Sequence, residues 1–247
     1  MGLPLAGLLV VLAAQPVSGI QVTTQLAPAS LGARCAAEAI PSSRMRVLQR
    51  ALADPRDPAV APPVIALYDS LLVEAQARPG DLELTFLLAV ATGTRGEMSS
   101  GRTQLAWAER MHELVQVLLE SQPGHPGAEH LLGRLHAGVL RMGSLRRWVA
   151  RALFGGEILA MASWDEAQVL LQEAARKAPC MPDHHYELAA LYRDTGRPEL
   201  ARQEALHALE VSSLDDAYEG VARKARVLLG VEDGAGRRES DAPRSTW

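Results

Sequence analysis

HHYELAALYRDTGRPELARQEALHALEVSS, residues 184–213, reads as two short antiparallel helices joined at a glycine. Tyr186, Leu188, Ala189 and Tyr192 form one apolar stripe, and Gly196 breaks the chain. Ala201, Ala208 and Leu209 mark a second helix whose small residues allow close backbone approach. Such a hairpin cannot bury its hydrophobic face alone, so it must stack on further hairpins of its kind. The expected fold is therefore all-α, an α-solenoid of helical-hairpin repeats.

The same grammar extends upstream. Leu105, Ala108, Met111, Leu114, Val115, Leu118 and Leu119 recur at three- and four-residue steps, predicting one helix over Gly101 to Ser121. Ala128 to Met142 follows with Leu132, Gly133 and His136 at first-helix positions, and Asp165 to Ala178 supplies Ala167, Leu171 and Ala174 in second-helix register. The pattern resembles a tetratricopeptide repeat of about 34 residues, but the gap from Gly133 to Ala167 is longer by about twenty residues than an ordinary repeat allows between those two positions. A helical insertion, residues 143–164, is thus expected inside one repeat. Leu214 to Leu229 reads as a capping helix, and 230–247, rich in Gly, Arg and Ser, as a disordered tail.

Nearer the start, Ser42 or Ser43 caps a helix carrying Met45, Leu48, Ala51 and Leu52. A proline-rich linker runs to Pro63, Val64 to Ala77 is amphipathic, and Asp81 caps a helix to Thr92 before a flexible Gly93–Gly101 stretch. These readings divide the chain into a signal peptide (1–19), an N-terminal helical segment with linker (20–63), a repeat domain (64–229) and a tail (230–247). The signal reading rests on LPLAGLLVVLAA, residues 3–14, an apolar run of secretory length before Val17-Ser18-Gly19. It implies export to a periplasm or the exterior; the alternative is a retained membrane anchor.

Composition agrees. Of 247 residues 48% are hydrophobic but only 4% aromatic, a mixture that suits helices packed through alanine and leucine. A net charge of −4 provides no bulk field for nucleic acid. Cys35 and Cys180 are the only cysteines, and an exported chain invites their pairing. Stacked repeats touch only their neighbours, so a bond requires the N-terminal segment to fold back; the sequence leaves the pairing open, with the stacking geometry weighing against it.

Residues 101–229, and Ala128 to Ser213 most clearly, resemble the regulator of microtubule dynamics family. His130-Leu131-Leu132-Gly133-Arg134, Ala152-Leu153-Phe154-Gly155 and Asp165-Glu166-Ala167 carry the likeness. The resemblance implies a helical-repeat adaptor without catalytic activity, from a family associated with microtubules, mitochondria or the endoplasmic reticulum. The family's motifs are structural, so no binding residue transfers.

The residues themselves point to a protein or peptide partner gripped between stacked helices, with Arg134, His136, Tyr192 and Arg193 as candidate groove contacts. A second candidate surface is the insertion helix at 144–154, where Arg146, Arg147 and Arg151 oppose an apolar face and suit an acidic partner or a membrane surface. Cys180, Asp183, His184 and His185 are zinc-type donors, but sequential helical histidines diverge by about 100°. They read instead as a helix start with Asp183 as its N-cap. His125, His130 and His136 fall on different faces, and no nucleophile, phosphate loop or dinucleotide fingerprint occurs. No catalytic residue, metal or cofactor is expected.

Overall fold

The computed structural model describes residues 30–35, 41–143 and 158–231, and among these the chain is helical with no strand. The helices are α1 (Leu31–Cys35), α2 (Ser43–Ala53), α3 (Ala61–Ala77), α4 (Leu82–Glu97), α5 (Gly101–Ser121) and α6 (Pro126–Arg141). They continue as α7 (Ile158–Met161), α8 (Trp164–Lys177), α9 (Pro182–Asp194), α10 (Pro198–Ser212) and α11 (Glu219–Leu229). No described helix is long and apolar enough to cross a membrane. The candidate signal, the insertion helix with Arg146, Arg147 and Arg151, and the tail beyond Val231 lie outside the described residues.

α4 pairs with α5, α6 with α8 across the insertion, and α9 with α10, the helical-repeat arrangement that the hairpin pattern requires. α4, α6, α9 and α11 form the inner row, and α5, α8 and α10 back it. Around the first hairpins Leu48, Leu71, Leu84, Val115, Leu118 and Leu132 interlock in one core. Around the later hairpins Ala137, Ala167, Ala175 and Ala201 bring the backbones close to Leu171, Leu188 and Leu191.

Several boundaries differ from expectation for local reasons. Pro62 and Pro63 belong to the first turn of α3, where a missing N–H leaves nothing unpaired, so the linker ends before them. α4 continues through Gly93 and Gly96 to Glu97, where flexible chain was expected. A Cβ at Gly93 would lie 2.8 Å from the Met111 sulfur, so the glycine serves a tight helix crossing and not a hinge. The capping segment is divided: Asp216–Tyr218 is a 3₁₀ turn ahead of α11, and the Asp215 carboxylate accepts from the Ala217 N–H at 2.9 Å. Asp183 is not the N-cap of α9. Met181 holds that position and Pro182 opens the helix, leaving the Asp183 side chain to accept from Gln49 Nε2 at 2.7 Å.

The larger departure concerns Cys35 and Cys180, which are joined in a disulfide across 145 positions of sequence. The stacking argument against the bond fails because the N-terminal arm does fold back. α1 packs on α10, with Leu31, Cys35, Cys180 and Val211 in one buried cluster and the Gly32 N–H donating to Glu210 Oε1 at 2.9 Å. α2 then crosses the inner row, touching α3 and α4 on one side and the 3₁₀ turn and α11 on the other. The 43–53 helix thus packs against both the early and the last helices of the row.

Candidate functional site

The inner row is built around a ladder of charges. Arg134 of α6 donates from Nη2 to Glu97 Oε1 of α4 at 2.6 Å, and its Nε lies 3.2 Å from Glu187 Oε1 of α9. Arg141, two turns further along α6, reaches Glu187 Oε2 at 3.4 Å and donates from Nε to Asp194 Oδ2 at 2.7 Å. α4, α6 and α9 are thereby tied in sequence. Burial would raise the Glu187 carboxyl, but Arg134, then Arg141 and Lys224, outweigh it and hold it below the ordinary carboxylate value. Burial raises Asp183, whose carboxylate accepts from Gln49 Nε2.

α2 covers this ladder. Arg46 makes a two-pronged contact with Asp215 at 2.7 and 2.6 Å, and Gln49 reaches Asp183. The α2 carbonyls of Leu52 and Ala53 accept from Lys224 Nζ and Arg223 Nη2 at 2.8 and 2.7 Å, a favourable use of cations at a helix C-terminus. A side chain at Gly220 would collide with Ala53, so glycine there lets α2 seat against α11. A cavity of about 70 Å³ remains between α2 and the row, lined by Met45, Gln49, Phe86, Met111, His130 and Asp183 among others.

Beneath it, His130 and His184 stack with ring centroids 4.7 Å apart. Burial, with Arg134 adding to it, lowers His130 from 6.5 to about 3, and burial takes His184 well below its ordinary value. The unfolded chain binds these protons near the ordinary value while the folded chain refuses them. Stability is therefore expected to be complete above pH 6.5 and to fall as the pH drops toward 3, by about 1.4 kcal/mol per pH unit from His130. Urea unfolding at pH 7 and pH 5, a window above most carboxylate titration, measures it; equal free energies at the two would contradict the burial argument.

The four groove candidates separate. Arg134 lies at the centre of the ladder, and Arg193 is exposed with Asp194 3.8 Å away. His136, 1% exposed, faces the α8 side, where the Ser163 N–H donates to its Nδ1 at 3.4 Å. Tyr192 is buried between hairpins; its hydroxyl accepts from Gln172 Nε2 at 2.8 Å, and the Arg197 guanidinium lies 4.7 Å over its ring. The sequence reading passed over Glu97, Arg141, Glu187 and Asp194, and took α2 only as a helix, not as part of this site. A signal for three of them with Arg134 was present: Arg134/Arg141 and Glu187/Asp194 are opposite charges spaced by two helical turns on adjacent first helices. Nothing local marks α2 as the occupant.

A family profile described as Regulator of microtubule dynamics protein 1-3 matches residues 73–231. No curated protein matches the chain.

Proposed function

From the premise that this chain belongs to the regulator of microtubule dynamics family, we propose that it is a non-catalytic interaction module whose inner row receives an amphipathic helix of a protein partner. The observation that carries the reading is α2, which occupies that row with apolar Met45 and Leu48 inward and Arg46 and Gln49 on carboxylates. An intramolecular helix held by apolar anchors and a few polar contacts is the helix-in-groove mode of recognition. The buried charges favour an adaptor over an enzyme, because Glu97, Arg134, Glu187 and Arg141 are spent on one another. Arg193 and the outer edge of Arg134 are the positions at which a partner would meet this surface, while Tyr192 and His136 hold the helices that present it.

We place the protein in an oxidising compartment, reached through the apolar N-terminal run. The Cys35–Cys180 bond supports this, since such bonds persist outside reducing cytosol. The family description names microtubule dynamics, and co-sedimentation of the purified chain with polymerised tubulin tests that role directly.

The groove reading is tested by affinity purification of the full chain alongside a Cys35→Ser chain, each with and without excess synthetic peptide of residues 42–54. A partner enriched on the variant and displaced by the peptide is expected. A partner indifferent to both changes binds elsewhere, and the groove assignment then fails.

A further inference from the structure

We propose that His185, Glu204 and His207 form a zinc site that clasps α9 to α10 beside the disulfide. One ligand atom from each residue lies within 4.8 Å of the other two, and the three are graded from buried His185 to partly exposed Glu204 and His207. Glu204 and His207 are three apart on α10, so both project from one face of it toward the first turns of α9.

The hydrogen bonds around His185 call for a cation. Its Nε2 lies 2.9 Å from the Pro179 carbonyl oxygen and its Nδ1 lies 2.7 Å from Glu204 Oε2. Both neighbours are acceptors. A neutral imidazole has one N–H and one lone pair, so in either tautomer one nitrogen would oppose an oxygen, lone pair against lone pair. A second proton on the ring relieves this, and so does a metal ion on Nδ1.

Two features make the metal the better occupant. With Nε2–H given to the Pro179 carbonyl, the Nδ1 lone pair is aimed at the cluster, the outer-sphere arrangement that orients a metal-bound histidine. His207 also brings a second ring nitrogen, Nδ1, to 3.6 Å from the same carboxylate oxygen, and the two imidazoles meet edge to face at 5.4 Å. A proton shared by His185 and Glu204 gains little from that ring, whereas a metal takes it as a third ligand.

Two nitrogens and one carboxylate oxygen suit zinc, and tetrahedral bonds of about 2.0–2.2 Å space ligand atoms about 3.3 Å apart. The Glu204–His207 distance already lies near that value, and the His185–Glu204 contact must open by about 0.6 Å, within reach of a glutamate rotamer change. A zinc ion held by three protein ligands leaves one position for water, and His207 is 35% exposed.

Isothermal titration of the untagged, oxidised full chain with zinc chloride tests the site. Because both cysteines are in the disulfide, no thiol competes. One zinc per chain is expected, with a higher thermal midpoint in its presence and no response to calcium chloride. His207→Ala and Glu204→Gln should each weaken binding about tenfold or more, while metal-free circular dichroism stays unchanged and His112→Ala leaves the titration as it was. Absence of saturable binding, or binding equally strong in both variants, overturns the proposal.

Discussion

Replacing Cys35 and Cys180 together by alanine is expected to lower the unfolding free energy by about 5 kcal/mol, the chain-entropy value for a closed loop of this length. The magnitude follows from the separation of 145 residues: the bond removes from the unfolded ensemble every conformation in which the N-terminal arm is far from the later repeats. Without it the arm is held by the Gly32–Glu210 hydrogen bond, the Arg46–Asp215 pair and the apolar seat of Met45 and Leu48. Arg46 is 43% exposed, so its ion pair is screened and contributes modestly. Urea unfolding of the double variant, compared with the native chain in reductant, should give matching losses. Hydrogen exchange should rise first in α1 and α2 and last in the α6–α8 core. A loss below about 1 kcal/mol would mean that the unfolded arm already stays near α10, which the chain-entropy account does not allow.

Arg134→Leu carries the second large effect, a loss of about 3–5 kcal/mol, because it strands two carboxylates in the inner row. Glu97 and Glu187 are 16% and 10% exposed, and Arg134 is the shared partner that ties them together. Arg141 remains for one Glu187 oxygen at 3.4 Å, which does not replace the closer contact. The cost reflects uncompensated charge and not the value of the ion pair, so neutralising a stranded group should return part of it. Arg134→Leu with Glu97→Gln is accordingly expected to be more stable than Arg134→Leu alone, and a double-mutant cycle measures that coupling. In Arg134→Leu, Glu187 loses the largest influence lowering its carboxyl and burial then favours the protonated form, so the loss relative to the native chain should shrink as the pH falls through the carboxylate range. Simple additivity of the two substitutions would show that the ladder is not one network.

The helices themselves were written locally. Gly101–Ser121 emerged at its expected limits, as α5, because its leucines, valine and methionine repeat at helical steps between a glycine and a proline-glycine stop. The 184–213 hairpin appeared as α9 and α10 with Gly196 at positive φ between them, as its small residues required. Where boundaries slipped, at Pro62, Gly93 and Asp183, a residue ordinarily found in turns or caps was serving a neighbour across space. Of the charge ladder only the two-turn spacing of Arg134 with Arg141 and of Glu187 with Asp194 was legible; Glu97 enters from a helix whose register against α6 no local pattern specifies.

Periodicity, glycine stops and proline starts act over a few residues, and they were sufficient for helix, hairpin and repeat. The course of the N-terminal arm depends on contacts between residues more than a hundred positions apart: Cys35 with Cys180, Gln49 with Asp183, Ala53 with Arg223. Such contacts leave no trace in nearest-neighbour spacing, since their free energy arises only when already formed helices close on one another. Whether the inner row stands open or is filled by the chain's own α2 was therefore settled by packing.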